Sequence, residues 1–134
     1  MKNDIISSFV YPVAAYSDDD FLYIATGFLY RKKTKFYFIT SLSSILGRQV
    51  PNGEFKLKNK KIPNVLKTSF SIFEDDLIKI KKRVFPITIP VYNENFEPNF
   101  FIHPTYKKEI DIAVFPIETK GIDFVSLNDF DTVK

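Results

Sequence analysis

Apolar residues fall in short runs along most of this chain, rich in β-branched and aromatic side chains and broken by turn residues. Residues 5–16, 21–31 and 35–40 each read as a strand on that ground. Ser17-Asp18-Asp19-Asp20 separates the first pair. Short polar side chains can hydrogen-bond their own backbone there, so the segment predicts a turn. Lys32-Lys33-Thr34 predicts a second turn and an antiparallel hairpin between residues 21–31 and 35–40. Further strands are expected at 54–58, 65–73, 77–82, 86–91 and 110–117, with a loop at 93–99 and a strong turn at Pro51-Asn52-Gly53. Residues 41–46 suit one helical turn, stopped by Gly47 in a left-handed conformation. No segment keeps a 3.6-residue apolar period over ten residues. The expected fold is therefore all-β: a single six-stranded antiparallel Greek-key barrel spanning 1–134, with an extended tail from about 121.

Composition changes this picture in three ways. Fifteen Phe and seven Tyr supply bulky core material within a chain of 134 residues. There is no Cys and one His, His103, which excludes disulfides, thiolate metal sites and any chemistry needing two imidazoles. No apolar run reaches the roughly 18 residues of a membrane span, and residues 1–10 do not resemble a secretion signal. A cytoplasmic protein, away from membranes and without a cofactor, is expected.

The net charge of +3 is uneven, with a basic stretch from Arg31 to Arg83. In Glu54-Phe55-Lys56-Leu57-Lys58 and Ile78-Lys79-Ile80-Lys81 the lysines alternate with apolar residues. That pattern is expected of a solvated strand face rather than a nucleic-acid surface. Asp18, Asp19 and Asp20 are read as turn residues rather than metal ligands, because no second ligand group follows at a useful spacing.

Three segments carry a family resemblance. Ala25-Thr26-Gly27-Phe28-Leu29-Tyr30 is similar to the Gly/Ala-Thr-Gly-Phe strand of trypsin-like serine proteases of the bacterial, disulfide-free kind. Tyr37-Phe38-Ile39-Thr40-Ser41-Leu42-Ser43-Ser44-Ile45-Leu46-Gly47-Arg48 resembles the family segment that carries the general-base histidine. Phe101-Ile102-His103-Pro104, followed by Glu109-Ile110-Asp111-Ile112-Ala113-Val114-Phe115-Pro116-Ile117, resembles the His-Pro loop and the strand that carries the catalytic aspartate. The resemblance covers roughly residues 10–131 and implies the first barrel of such a protease.

The departures matter as much as the matches. Ser43 stands where the family has its histidine, and Ser41 and Leu42 stand where it has Asn and Trp. Asp111 matches the residue that orients the base. No segment resembles the Gly-Asn-Ser-Gly-Gly nucleophile motif of the family's second barrel. The resemblance thus implies a catalytically inactive homologue acting in binding or assembly, with Asp111 and Ser43 as vestigial triad positions. It equally allows a fragment of a longer trypsin-like peptidase, and an unrelated small barrel binding nucleic acid or peptide stands beside both. Asp111 is expected to be buried against Ser43 and neighbouring backbone N–H groups. Ser41, Ser43 and Ser44 are expected to cap the helix start. His103, beside Pro104 in a polar loop, is expected to have no chemical role. A protein partner, either a second barrel or a second copy, is expected on a flank exposing Phe96, Phe100 and Phe101.

Overall fold

The structure, a computed structural model, describes residues 10–49, 53–75, 80–107, 109–119, 122, 124 and 126. It holds six strands and one short helix: β1 (Val10–Ser17), β2 (Asp20–Lys32), β3 (Lys35–Thr40), α1 (Leu42–Leu46), β4 (Val65–Asp75), β5 (Ile80–Pro90) and β6 (Ala113–Ile117). Every pairing is antiparallel, and the strands lie in the order β5-β4-β1-β2-β3-β6. Three hairpin-connected strands with the fourth returning beside the first make a Greek key. The all-β, six-stranded antiparallel expectation holds. Among the described residues no helix is long and apolar enough to cross a membrane.

Alternation sets the inner face. Tyr11, Val13 and Ala15 of β1, Leu29 of β2, Phe36 and Phe38 of β3, Leu66 and Phe70 of β4, and Ala113 and Phe115 of β6 are buried. Phe38 and Phe70 lie on strands three places apart in the sheet, about 14 Å in a flat one. Their ring centroids are 5.6 Å apart. The sheet therefore curls on itself into a half-barrel. Phe124 fills the space between its limbs, meeting Phe36 of β3, Phe70 of β4 and Phe85 of β5 at 6.2, 5.4 and 5.7 Å. Among the described residues β5 and β6 do not pair, so side chains rather than a ladder bring the limbs together.

Two local expectations fail for physical reasons. Residues 54–58 alternate but form no strand. Phe55 makes one bridge to Arg48, whose guanidinium lies 3.9 Å from its ring, and the chain then turns through Lys60 at φ +59°. The two strands expected at 77–82 and 86–91 are one strand, β5. Pro86 and Pro90 share a parity in it, and β5 pairs with β4 alone among the described strands. A proline whose missing N–H would face the open edge removes no ladder bond. The alternation at Ile78-Lys79 lies outside the described residues, as do residues 5–9, Pro51, Asn52 and Gly121.

Both hairpin turns expected from sequence form. Asp18 and Lys33 take φ of +54° and +59° in two-residue turns between Ser17 and Asp20 and between Lys32 and Lys35. Asn64 locks the first: its Oδ1 accepts from the Asp18 N–H and its Nδ2 donates to Asp18 Oδ1.

Candidate functional site

The site forms where β3 ends. Thr40 pairs with Ala113, and continuing that antiparallel register two residues outward sets Asp111 opposite Leu42. The helix begins there. Leu42 and Ile45 are buried in the core, which fixes α1 against the barrel. Gly47 ends it at φ +66°, in the left-handed region expected. A Cβ on Gly47 would lie 2.9 Å from Ile62 Cγ2, so space as well as conformation selects glycine.

Ser43 and Asp111 are brought together across 68 positions. The Ser43 N–H donates to Asp111 Oδ1 at 2.6 Å, and Ser43 Oγ donates to Oδ2 at 3.0 Å. Ser43 is 7% exposed. Asp111, however, is exposed rather than buried, so no desolvation of a buried charge accounts for the contact. Its work is local. Ser41 occupies the N-cap with φ −74° and ψ 137° but makes no side-chain cap bond. Its Oγ bonds Ser44 Oγ at 2.5 Å instead. A distant carboxylate satisfies one of the helix's free N–H groups in its place. The expectation that the three serine side chains cap the helix is thus corrected for all of them: Ser41 and Ser44 bond each other, and Ser43 Oγ donates to Asp111. β6 is shorter than expected. Residues 110–112 bend, with the Ile112 N–H donating to the Ile110 carbonyl at 2.9 Å, and the strand starts at Ala113 rather than 110.

Tyr23, which the sequence reading did not single out, secures the other side of α1. Its hydroxyl donates to the Ser44 carbonyl at 2.6 Å. Burial pushes this hydroxyl from an ordinary 10.0 up to about 12. Burial raises Tyr92 as well. Between 10.0 and about 12 the folded chain keeps a proton at Tyr23 that the unfolded chain has lost. This part of the stability is complete below the lower value and lost as pH rises through the upper one. Tyr23→Phe is expected to cost about 1 kcal/mol at neutral pH and to flatten the alkaline decline. Urea denaturation at neutral and alkaline pH checks both, and an unchanged alkaline slope would show that Tyr23 does not set it.

Beside Asp111 lies a cavity of about 330 Å³, lined by Val10, Phe28, Ile39 and Ile112 among others. Thr26, Gly27, Thr40 and Ser41 complete its wall with Asp111. Thr40 Oγ1 is already donated to the Thr26 carbonyl at 2.8 Å.

The remaining expected residues fall elsewhere. His103 Nδ1 accepts from the N–H groups of Thr105 and Tyr106 at 3.1 and 3.0 Å, and its ring packs on Tyr106. It serves its own turn. Phe96 and Phe101 are 86% and 66% exposed. Phe100 is not: it turns inward onto Phe115 and Tyr92, with centroids at 5.5 and 6.4 Å. The three phenylalanines therefore do not form one exposed flank. Asp20 pairs with Lys61 and Asp18 with Asn64. Among the described residues no group of three or more His, Asp or Glu is placed to hold a metal.

No protein-family model, curated protein or solved structure matches the chain.

Proposed function

We propose that the chain is a catalytically inactive homologue of trypsin-like serine proteases that acts by binding a protein partner. The observation carrying this reading is the Ser43–Asp111 pair. Triad chemistry needs an imidazole between nucleophile and carboxylate, to take a proton from one while the other holds it in place. Here the position beside the carboxylate holds a hydroxyl, which has no basic lone pair usable near neutral pH. Ser43 donates to Asp111, and a carboxylate is a far weaker base than an imidazole for drawing off a hydroxyl proton. The neighbouring Ser41 and Ser44 hydroxyls are bonded to each other. The partner is a second barrel or a second copy, and the exposed Phe96 and Phe101 are the candidate side chains for it to cover.

An organophosphorus serine probe and peptide esters test the inactivity. The chain is expected neither to be labelled nor to hydrolyse them, and Ser43→His alone is expected to change neither result. Stoichiometric labelling of any serine would overturn the reading. Sedimentation of the same preparation over a concentration series tests the second-copy form of the partner: self-association weakened by Phe101→Ser is expected, and a strict monomer removes that form.

A further inference from the structure

Phe96 is 86% exposed, and its own loop fixes it there. It takes φ +59°, in the left-handed region that a phenylalanine rarely adopts. Asn93 holds the loop: its Oδ1 accepts from the N–H groups of Asn95 and Glu97 at 2.8 and 3.0 Å, and its carbonyl accepts from the Phe96 N–H at 3.0 Å. The Asn93 N–H donates to the Glu97 carbonyl at 2.8 Å and closes the turn. An aromatic ring on a backbone already bonded in place loses little freedom on binding, which suits it as an anchor. Glu94 and Glu97 bracket it in sequence, and both are exposed.

A groove of about 550 Å³ lies on the side of β1, β4 and β5 that faces away from the core. Register shapes it. Ala14 pairs with Ile24 on one side and Lys67 on the other, and Ser69 pairs with Pro86, so short side chains sit between longer ones. Ile24 and Val84 line the groove at 59% and 56% exposed. Lys67 and Lys82 line it too, both exposed. The Lys67 ammonium rests over the Tyr16 ring at 4.5 Å, and among the described residues neither lysine pairs with a carboxylate.

We propose that Phe96 of one copy of this chain seats in the groove of a second copy, with Glu94 and Glu97 set toward Lys67 and Lys82. The inference rests on the reading of a second copy as the partner, and adds which two surfaces meet. A ring bracketed by carboxylates faces an apolar groove bearing two ammonium groups, so burial and charge favour the same pairing. At 86% exposure Phe96 is not seated in the groove of its own chain, so the contact runs between chains. Loop and groove share no residue. The contact is therefore heterologous: a pair still carries one unused Phe96 and one unused groove, and it grows into a ring or an open row.

Two variants of the full chain test this by sedimentation over a concentration series. Phe96→Asn removes the ring and keeps a residue that tolerates a positive φ. Val84→Glu puts a carboxylate into the groove on an exposed position of β5. Each alone is expected to weaken self-association about thirtyfold, as loss of an anchor does. Mixed in equal amounts they are expected to form a species of two chains that grows no further, because the first still has its groove and the second its Phe96. The unaltered chain is expected to grow past two. A mixture no more associated than its components overturns the proposal, since a contact of like with like gives that result. Association that withstands Phe96→Asn but is weakened by Phe101→Ser overturns it as well, and leaves the second-copy reading standing. An unaltered chain that stays monomeric at every concentration overturns it and leaves the groove to a different partner. Should Val84→Glu fail to fold, Ile24→Glu on the opposite side of the groove takes its place in the mixture. Labelling by the organophosphorus probe would overturn the inactive-homologue reading and leave the mixing result unchanged, so the two failures are distinct.

Discussion

Phe124→Ala is expected to destabilise the chain by about 3–5 kcal/mol, at the upper end for an aromatic truncated in a core. Phe124 is 2% exposed and meets three rings on three strands, two of which lie on opposite limbs of the curled sheet. Removing it leaves a cavity bounded by β-ladders that relax little. The limbs have no pairing between β5 and β6, among the described residues, to hold them in its absence. Phe85→Ala removes one of the same contacts, so the two losses should add to less than their sum. Urea denaturation of the single and double variants checks this. A loss below about 1 kcal/mol for Phe124→Ala, on the scale of an ordinary surface change, would show that the ring is not a core element.

Gly27→Ala is expected to cost about 3 kcal/mol, the upper range for overpacking a filled core. A Cβ there would lie at 2.8 Å from the Ile39 carbonyl oxygen, and closer still to the Phe38 ring. Neither neighbour gives way cheaply. Phe38 is fully buried against Phe70, and Ile39 is part of the β2–β3 ladder. The damage should reach α1, because Gly27 pairs with Thr40, the last residue of β3, which the helix follows after Ser41. Phe38→Leu in the same chain should recover part of the loss by shortening the obstructing side chain. A Gly27→Ala variant as stable as the parent would mean that the β2–β3 hairpin repacks freely.

The strands were legible because runs of β-branched and aromatic residues between turn signals suit a sheet. In β3 Phe36, Phe38 and Thr40 are buried while Lys35 is exposed and Tyr37 and Ile39 are intermediate, a period of two that its apolar run does not itself display. Alternation, where the sequence has it, does not report whether a neighbour exists. Residues 54–58 alternate, yet Phe55 makes one bridge, to Arg48, and its ring lies beside the cations of Arg48 and Lys60. Residues 77–82 and 86–91 were expected as two strands, yet β5 runs on through Pro86, since a proline whose N–H side has no partner strand removes no ladder bond. The Ser43–Asp111 contact was legible only through the family resemblance, since nothing local links positions 68 apart. Asp111's exposure was not, because a contact between two residues does not say which side of it faces water. Phe124 was overlooked for a related reason. It is a single residue in a weakly patterned tail, and its burial is set by a gap between strands that exists only once the sheet has curled.

The carboxylate that satisfies Ser43 has a consequence for the order in which the chain can assemble. A helix of five residues cannot stand on its own propensity, because nucleating the first turn fixes more backbone than its bonds repay. Its missing N-terminal partner lies 68 residues downstream, beyond both β4 and β5. During synthesis, the β1–β2–β3 meander can form while Asp111 is still inside the ribosome, but α1 cannot be capped until β6 has arrived at β3. The contact is of long sequence separation, and such contacts are made late and slowly. The segment that the resemblance singles out for chemistry is thus among the last parts of the nascent chain to take its shape.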